Sequence, residues 1–153
     1  MLARVARLLL AHLFTAQLVT TYPVTPACLL PPVSSPVTRG YQPPQCDYCP
    51  GHRTIEFRPD AGAVVVAPAG GTVRFAGQVA GVVYVVVELA APWPQGSVVT
   101  VGGLEPTPDT RAGSPLAAGQ VLGGASSAPI SLSLRHEVAG GESVYADPTP
   151  RLA

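Results

Sequence analysis

Gly51-His52-Arg53-Thr54-Ile55-Glu56-Phe57 opens the strand-rich part of this chain. A histidine followed four residues later by a carboxylate offers two metal donors, provided the backbone brings both to one point. Downstream, Ala63-Val64-Val65-Val66-Ala67 is a short apolar run closed by Pro68, and Gly70-Gly71 turns the chain into Thr72 to Gln78. Ala80-Gly81 turns it again into Val82-Val83-Tyr84-Val85-Val86-Val87-Glu88-Leu89, apolar on both faces, which predicts a central strand covered on each side. Ser97–Val101 and Ile130–Val138 read as further strands. Eighteen prolines and sixteen glycines break the chain too often for long helices, so the expectation is an all-β fold.

Length and charge narrow the function. The 153 residues suit one domain with terminal extensions. Net charge is zero and no basic block occurs, which argues against a nucleic-acid partner. All nine cations are arginines. Without lysine there is no Schiff-base nucleophile, no phosphate-loop lysine and no attachment point for biotin or lipoate.

Residues 1–27 read as an export signal or N-terminal anchor. Arg4 and Arg7 precede the apolar centre Leu8–Val19, and Thr25-Pro26-Ala27 offers small residues for cleavage. That centre falls short of the roughly 20 residues needed to span a bilayer. A membrane is therefore expected only through this segment, and the location is expected to be secreted or envelope-associated. Residues 28–50 form a Pro-rich lead-in, and Val37–Pro44 is expected to lie against the domain as a strand. Cys46 and Cys49 stand just ahead of His52. In an exported protein this spacing points to a local disulfide, the alternative being a metal site of Cys46, Cys49 and His52. Cys28 is left over as removed, lipidated or unbridged. Trp93, between Pro92 and Pro94, is either a stacking residue at a groove rim or a loop anchor tucked against the sheet.

Four pieces in order carry a family resemblance: Gly51–Glu56, the Val65-x-Ala67-Pro68-x-x-Gly71-x-Val73 run, Leu116–Gly123, and Tyr145-Ala146-Asp147-Pro148. Over residues 36–150 the chain resembles the lysostaphin-like (LytM-type) zinc endopeptidases, which cut peptidoglycan cross-bridges. The resemblance implies two packed antiparallel sheets in a barrel-sandwich hybrid, with the core domain at residues 51–150. It implies hairpins at Val65–Gly77 and at Leu116–Gly123. It also makes His52 and Glu56 the counterparts of two zinc ligands, with glutamate where the family carries aspartate.

The rest of the family's chemistry is expected to be missing. Its third ligand is the second histidine of a His-x-His strand, and the first assists catalysis. Matching Glu137-Val138 puts Ser133 and Arg135 at those two positions, so Arg135 occupies the third-ligand place; a slipped register puts Ser131 and Ser133 there instead. Arginine cannot donate a lone pair. His136 should face the other way along the strand. The segment that holds the remaining catalytic histidine corresponds to Val101–Leu104, with Gly103 at the histidine position, or to the neighbouring Glu105-Pro106; neither holds a histidine.

The expected function is an exported metalloendopeptidase-like domain, catalytically inactive. It would bind peptidoglycan or regulate a cell-wall hydrolase, with Arg53, Arg74, Trp93 and Arg135 as groove-binding candidates and no cofactor. The competing expectation is an active zinc endopeptidase with an atypical third ligand such as His136 or a cysteine. A third is a small structural domain in which His52 and Glu56 form only a surface pair.

Overall fold

The computed structural model describes residues 27–46, 48–138 and 140–153. Residues 1–26, most of the expected export signal, lie outside the described residues. Strands follow in the order β1 (Val37–Arg39), β2 (Ile55–Phe57), β3 (Val64–Val66), β4 (Gly71–Val79), β5 (Val82–Leu89), β6 (Ser97–Gly102), β7 (Leu104–Pro106), β8 (Pro115–Leu116), β9 (Val121–Ala125), β10 (Ile130–Glu137) and β11 (Ser143–Ala146). Among the described residues one 3-10 turn, Thr149–Arg151, follows β11.

The fold is all-β, in two antiparallel sheets that do not close into a barrel. The large sheet runs β1-β2-β10-β6-β5-β4-β8, with β11 pairing β10 beyond the end of β2; the small sheet runs β3-β9-β7. Between them sits the core. Val65, Leu104 and Leu122 of the small sheet, and Ile55, Phe57, Val85, Val87, Val101 and Leu132 of the large one, are all at 1% exposure or less. Strand alternation places these residues inward and leaves the intervening ones on the open face of each sheet.

The lead-in segment belongs to this structure. Leu29 and Val33 are buried in the core, and β1 pairs β2 with Arg39 opposite Glu56. Gln42 and His52 exchange both backbone hydrogen bonds at 2.8 Å. The far end of the chain meets the same region, because the Leu29 amide donates to the Arg151 carbonyl at 2.7 Å and the Ala153 amide to the Leu29 carbonyl at 2.9 Å.

Two expectations need correction. The Val65–Gly77 and Leu116–Gly123 segments are not hairpins but crossovers between sheets. β3 lies in the small sheet and β4 in the large one, while β8 pairs β4 and β9 pairs β3 and β7. Pro68 has no amide to continue a ladder, and Gly119 takes a φ of 78°, so each run breaks at a corner. The corners clasp each other: the Ala67 amide donates to Gln120 at 2.8 Å and the Gly119 amide to Ala67 at 2.9 Å. The true hairpin is β4–β5, whose two-residue turn, Ala80-Gly81, has φ of 49° and 86°. Positive φ at both central residues is what a right-twisted pair of strands selects.

The second correction concerns β5. It is central, but only Val85, Val87 and Leu89 are buried; Val82, Tyr84 and Val86 on the other face are half-buried. They form part of the floor of an open groove.

Candidate functional site: the groove on the large sheet

Register builds the groove row by row. Glu56 on β2 lies opposite Ser131 on β10, Ser131 opposite Gly102 on β6, and Gly102 opposite Tyr84 on β5. Directly opposed residues point to the same face, so these four form one cross-strand row. A Cβ on Gly102 would stand 2.6 Å from both Ser131 Oγ and Tyr84 Cε1. Glycine there is what lets those two side chains converge. A second row holds Ser133, Thr100 and Val86, and a third holds Arg135, Val98 and Glu88, with Tyr145 on the other side of Arg135. A cavity of about 230 Å³ lies at the first row, lined by Thr54, Glu56, Val82, Tyr84, Ala128, Pro129 and Ser131.

His52 and Glu56 do meet. His52 Nε2 is 3.4 Å from Glu56 Oε1 and 3.0 Å from Thr54 Oγ1. The bridge to Gln42 holds the His52 backbone, and Gly51 permits it: a Cβ at Gly51 would come within 2.8 Å of the Pro44 nitrogen. Glu56 Oε1 also faces Arg39 Nη1 at 3.6 Å. The imidazole and the carboxylate thus already have polar partners within the protein.

Zinc hydrolysis needs three protein donors and an open position. Ser131 is the groove-facing residue of β10 beside Glu56 and Ser133 the next along; both carry neutral hydroxyls. Arg135 lies four residues from Ser131, roughly 13 Å along a strand, and offers no lone pair. His136 turns to the other face, where its Nδ1 is 2.9 Å from the hydroxyl of the fully buried Ser97. Cys46 and Cys49 are joined in a disulfide, so neither supplies a thiolate. Among the described residues no three His, Cys, Asp or Glu side chains gather as a metal site. The donor set does not fit zinc.

The other candidates divide. Trp93 takes the loop-anchor reading: at 8% exposure it belongs to the core, because the loop folds the indole inward where its large apolar surface is covered. Arg74 sits in the irregular step between Val73 and Phe75 and is engaged. Its Nε bonds Glu88 at 2.8 Å and its Nη1 lies 3.4 Å from Glu137. The hydrogen bond from Arg74 holds the Glu88 carboxyl below its ordinary value, and Glu88 in turn raises Arg74. Arg53 lies over the Tyr145 ring, 5.7 Å from its centroid. Arg39, Thr54 and Tyr84 were not named as site residues from sequence, and Tyr145 entered only through the closing Tyr145–Pro148 motif. Period-two alternation along Val82–Leu89 would have flagged Tyr84.

Gly103 is a glycine for its own reason. Its φ is 87° and an added Cβ would collide with the Pro129 carbonyl, just where the chain leaves β6 for β7. A histidine could not stand there on this backbone. Gly103→Ala is expected to cost at least ~1–3 kcal/mol through forced left-handed backbone alone, read as a drop in the urea midpoint at unchanged slope. A midpoint equal to that of the native chain would mean the turn is not strained.

No protein-family model matches the chain, and no curated protein sequence does. Solved structures match its fold. Csd3 of Helicobacter pylori superposes with a TM-score of 0.68 at 14% identity, covering 83% of this chain and 35% of Csd3. Lysostaphin in solution gives 0.63 at 17% identity over 81% of this chain and 52% of lysostaphin. A mutant catalytic domain of the prophage-encoded M23 protein EnpA from Enterococcus faecalis gives 0.59 at 18%, covering 80% of this chain and 95% of that domain. The chain therefore spans about a third of Csd3 and half of lysostaphin. At these identities the likeness concerns architecture, and it settles that much: this chain has the fold of the lysostaphin-like M23 peptidases.

Proposed function

We propose that the chain is a non-catalytic domain of the cell envelope that uses the groove of a peptidase fold to bind peptidoglycan or to regulate a hydrolase acting on it. The observation that carries this reading is the donor deficit at His52 and Glu56, with Thr54 and Arg39 already bonded to the pair. Zinc hydrolysis relies on a metal-bound water whose pKa the ion lowers, and two engaged donors fall short of the three protein ligands such a site uses. The groove itself is intact, with half-buried Val86, Tyr84 and Thr100 on its floor, and so remains able to take an extended peptide.

The active-peptidase alternative needs a third ligand. His136 is bonded to Ser97 on the opposite face, and Cys46 and Cys49 are bridged to each other, so none of these three supports it.

The test is zinc content together with peptidoglycan co-sedimentation, on chain purified once under oxidising and once under reducing conditions. Expected are far less than one zinc per chain in both preparations, retention on purified sacculi, and no soluble fragments released. One zinc per chain in the oxidised sample, lost on His52→Ala and accompanied by cleavage, would overturn the proposal.

A further inference from the structure

Ion pairing on the open face of the large sheet is uneven. Glu56 is met by Arg39, and both Glu88 and Glu137 by Arg74. Among the described residues Arg53 and Arg135 have no carboxylate at ion-pairing distance, and both border Tyr145. Arg53 lies over its ring, and Arg135 stands directly opposite it across the β10–β11 ladder. The Tyr41 hydroxyl donates to the Tyr145 carbonyl at 3.3 Å, tying this tyrosine to the lead-in segment.

Arg135 carries the sharper anomaly. Its Nε is shut off from solvent and has no hydrogen-bond partner. A buried charged donor left unmade is costly, and native structures seldom retain one without a reason. The guanidinium is planar and forks two N–H groups toward a carboxylate with matched spacing. The orphaned Nε belongs to a groove-facing arginine that shares Tyr145 with a second arginine lacking a carboxylate partner.

We propose that Arg53, Arg135 and Tyr145 form a recognition site for a carboxylate of a peptide lying in the groove. This rests on the non-catalytic binding reading above and names the ligand chemistry for it. Arg135 takes the carboxylate by a rotation of its guanidinium that brings the orphaned Nε, shut off in the free chain, into reach beside a terminal nitrogen, and Arg53, held by the Tyr145 ring, adds the second positive charge. Arg74 is excluded because its glutamates already satisfy it. A terminal carboxylate and an acidic side chain present the same group, so the probes separate them.

The probes are three forms of the peptide acetyl-Ala-Glu-Ala-Ala, titrated into the full chain by calorimetry. One has a free C-terminus with glutamine in place of glutamate, one keeps glutamate with an amidated C-terminus, and one has neither carboxylate. At least one single-carboxylate form should bind roughly tenfold or more tightly than the form with none, and which one does so identifies the source. Arg53→Gln and Arg135→Gln should each remove that preference. Arg135→Lys should not restore it, since an ammonium lacks the fork. Arg53 is exposed, so Arg53→Gln carries the test if an Arg135 variant fails to fold.

Equal binding of all three forms would overturn the inference. So would a preference untouched by Arg53→Gln, or no saturable binding up to roughly 10 mM peptide. Sacculus retention of the same variants separates the two readings. Retention without any carboxylate preference sinks this inference alone, whereas one zinc per chain with cleavage sinks the non-catalytic reading whatever the peptides do.

Discussion

Ser131→His combined with Ser133→His should turn a chain that holds little zinc into one that holds a single ion. Both positions face the groove on β10, and Ser131 stands across the ladder from Glu56. One imidazole there would bring His52 and Glu56 up to the three protein donors that a catalytic zinc site requires, leaving the second imidazole beside the ion. Even an outer-shell partner changes metal affinity by roughly 10–100-fold, so supplying a missing ligand should do more. Zinc titration against a competing chelator measures it. Arg135→His in the native background is the control for register, because that position lies two rows away. If Arg135→His captures zinc and the double serine variant does not, then Ser133 and Arg135, not Ser131 and Ser133, occupy the two histidine places.

Phe57→Ala should be the most damaging single truncation of a side chain next to the groove. Phe57 is 1% exposed and follows Glu56 on β2, where it pairs Val37 of β1 on one side and Ile130 of β10 on the other. Deleting its ring removes ~3–5 kcal/mol through lost transfer energy and the cavity left behind. Domains of this kind have only about 5–15 kcal/mol in total. Chemical denaturation should show a large fall in midpoint, with the groove lost in the same transition, since Glu56 and Phe57 share one three-residue strand. Glu56→Gln removes only partly exposed ion pairs and should shift the midpoint by less than ~1 kcal/mol. A Phe57→Ala effect as small as that would show that the β2 edge can collapse around the gap.

The strands were legible because their signals are local. Val82–Leu89 announces itself by composition, and Ala80-Gly81 by the turn it must make. Partnership between strands was not. Val65–Gly77 and Leu116–Gly123 look like hairpins in sequence, yet each hands the chain from one sheet to the other, and only their mutual hydrogen bonds at Ala67, Gly119 and Gln120 fix that arrangement. The site divides in the same way. His52 and Glu56 are near in sequence and in space, so the family resemblance found them. Arg39 reaches Glu56 from the lead-in, and Tyr145 reaches Arg53 from the last strand; separations of this size leave no pattern. Trp93 was open to either reading because a Pro-flanked loop does not encode which way its indole turns. The β10 register needed the pairing of Ser131 with Glu56 to be seen.

The two ends of the described chain lie side by side, Leu29 bridged to Leu152 in parallel. The incoming chain leaves this bridge in one direction and the outgoing chain in the other. Tension between the ends is therefore carried in shear, with the Leu29–Arg151 and Ala153–Leu29 bonds loaded together instead of being peeled one after the other. Leu29 is wholly buried, so yielding at this point would also pull an apolar side chain into water. A pull between the two ends of the described chain therefore meets this clasp before it reaches the groove.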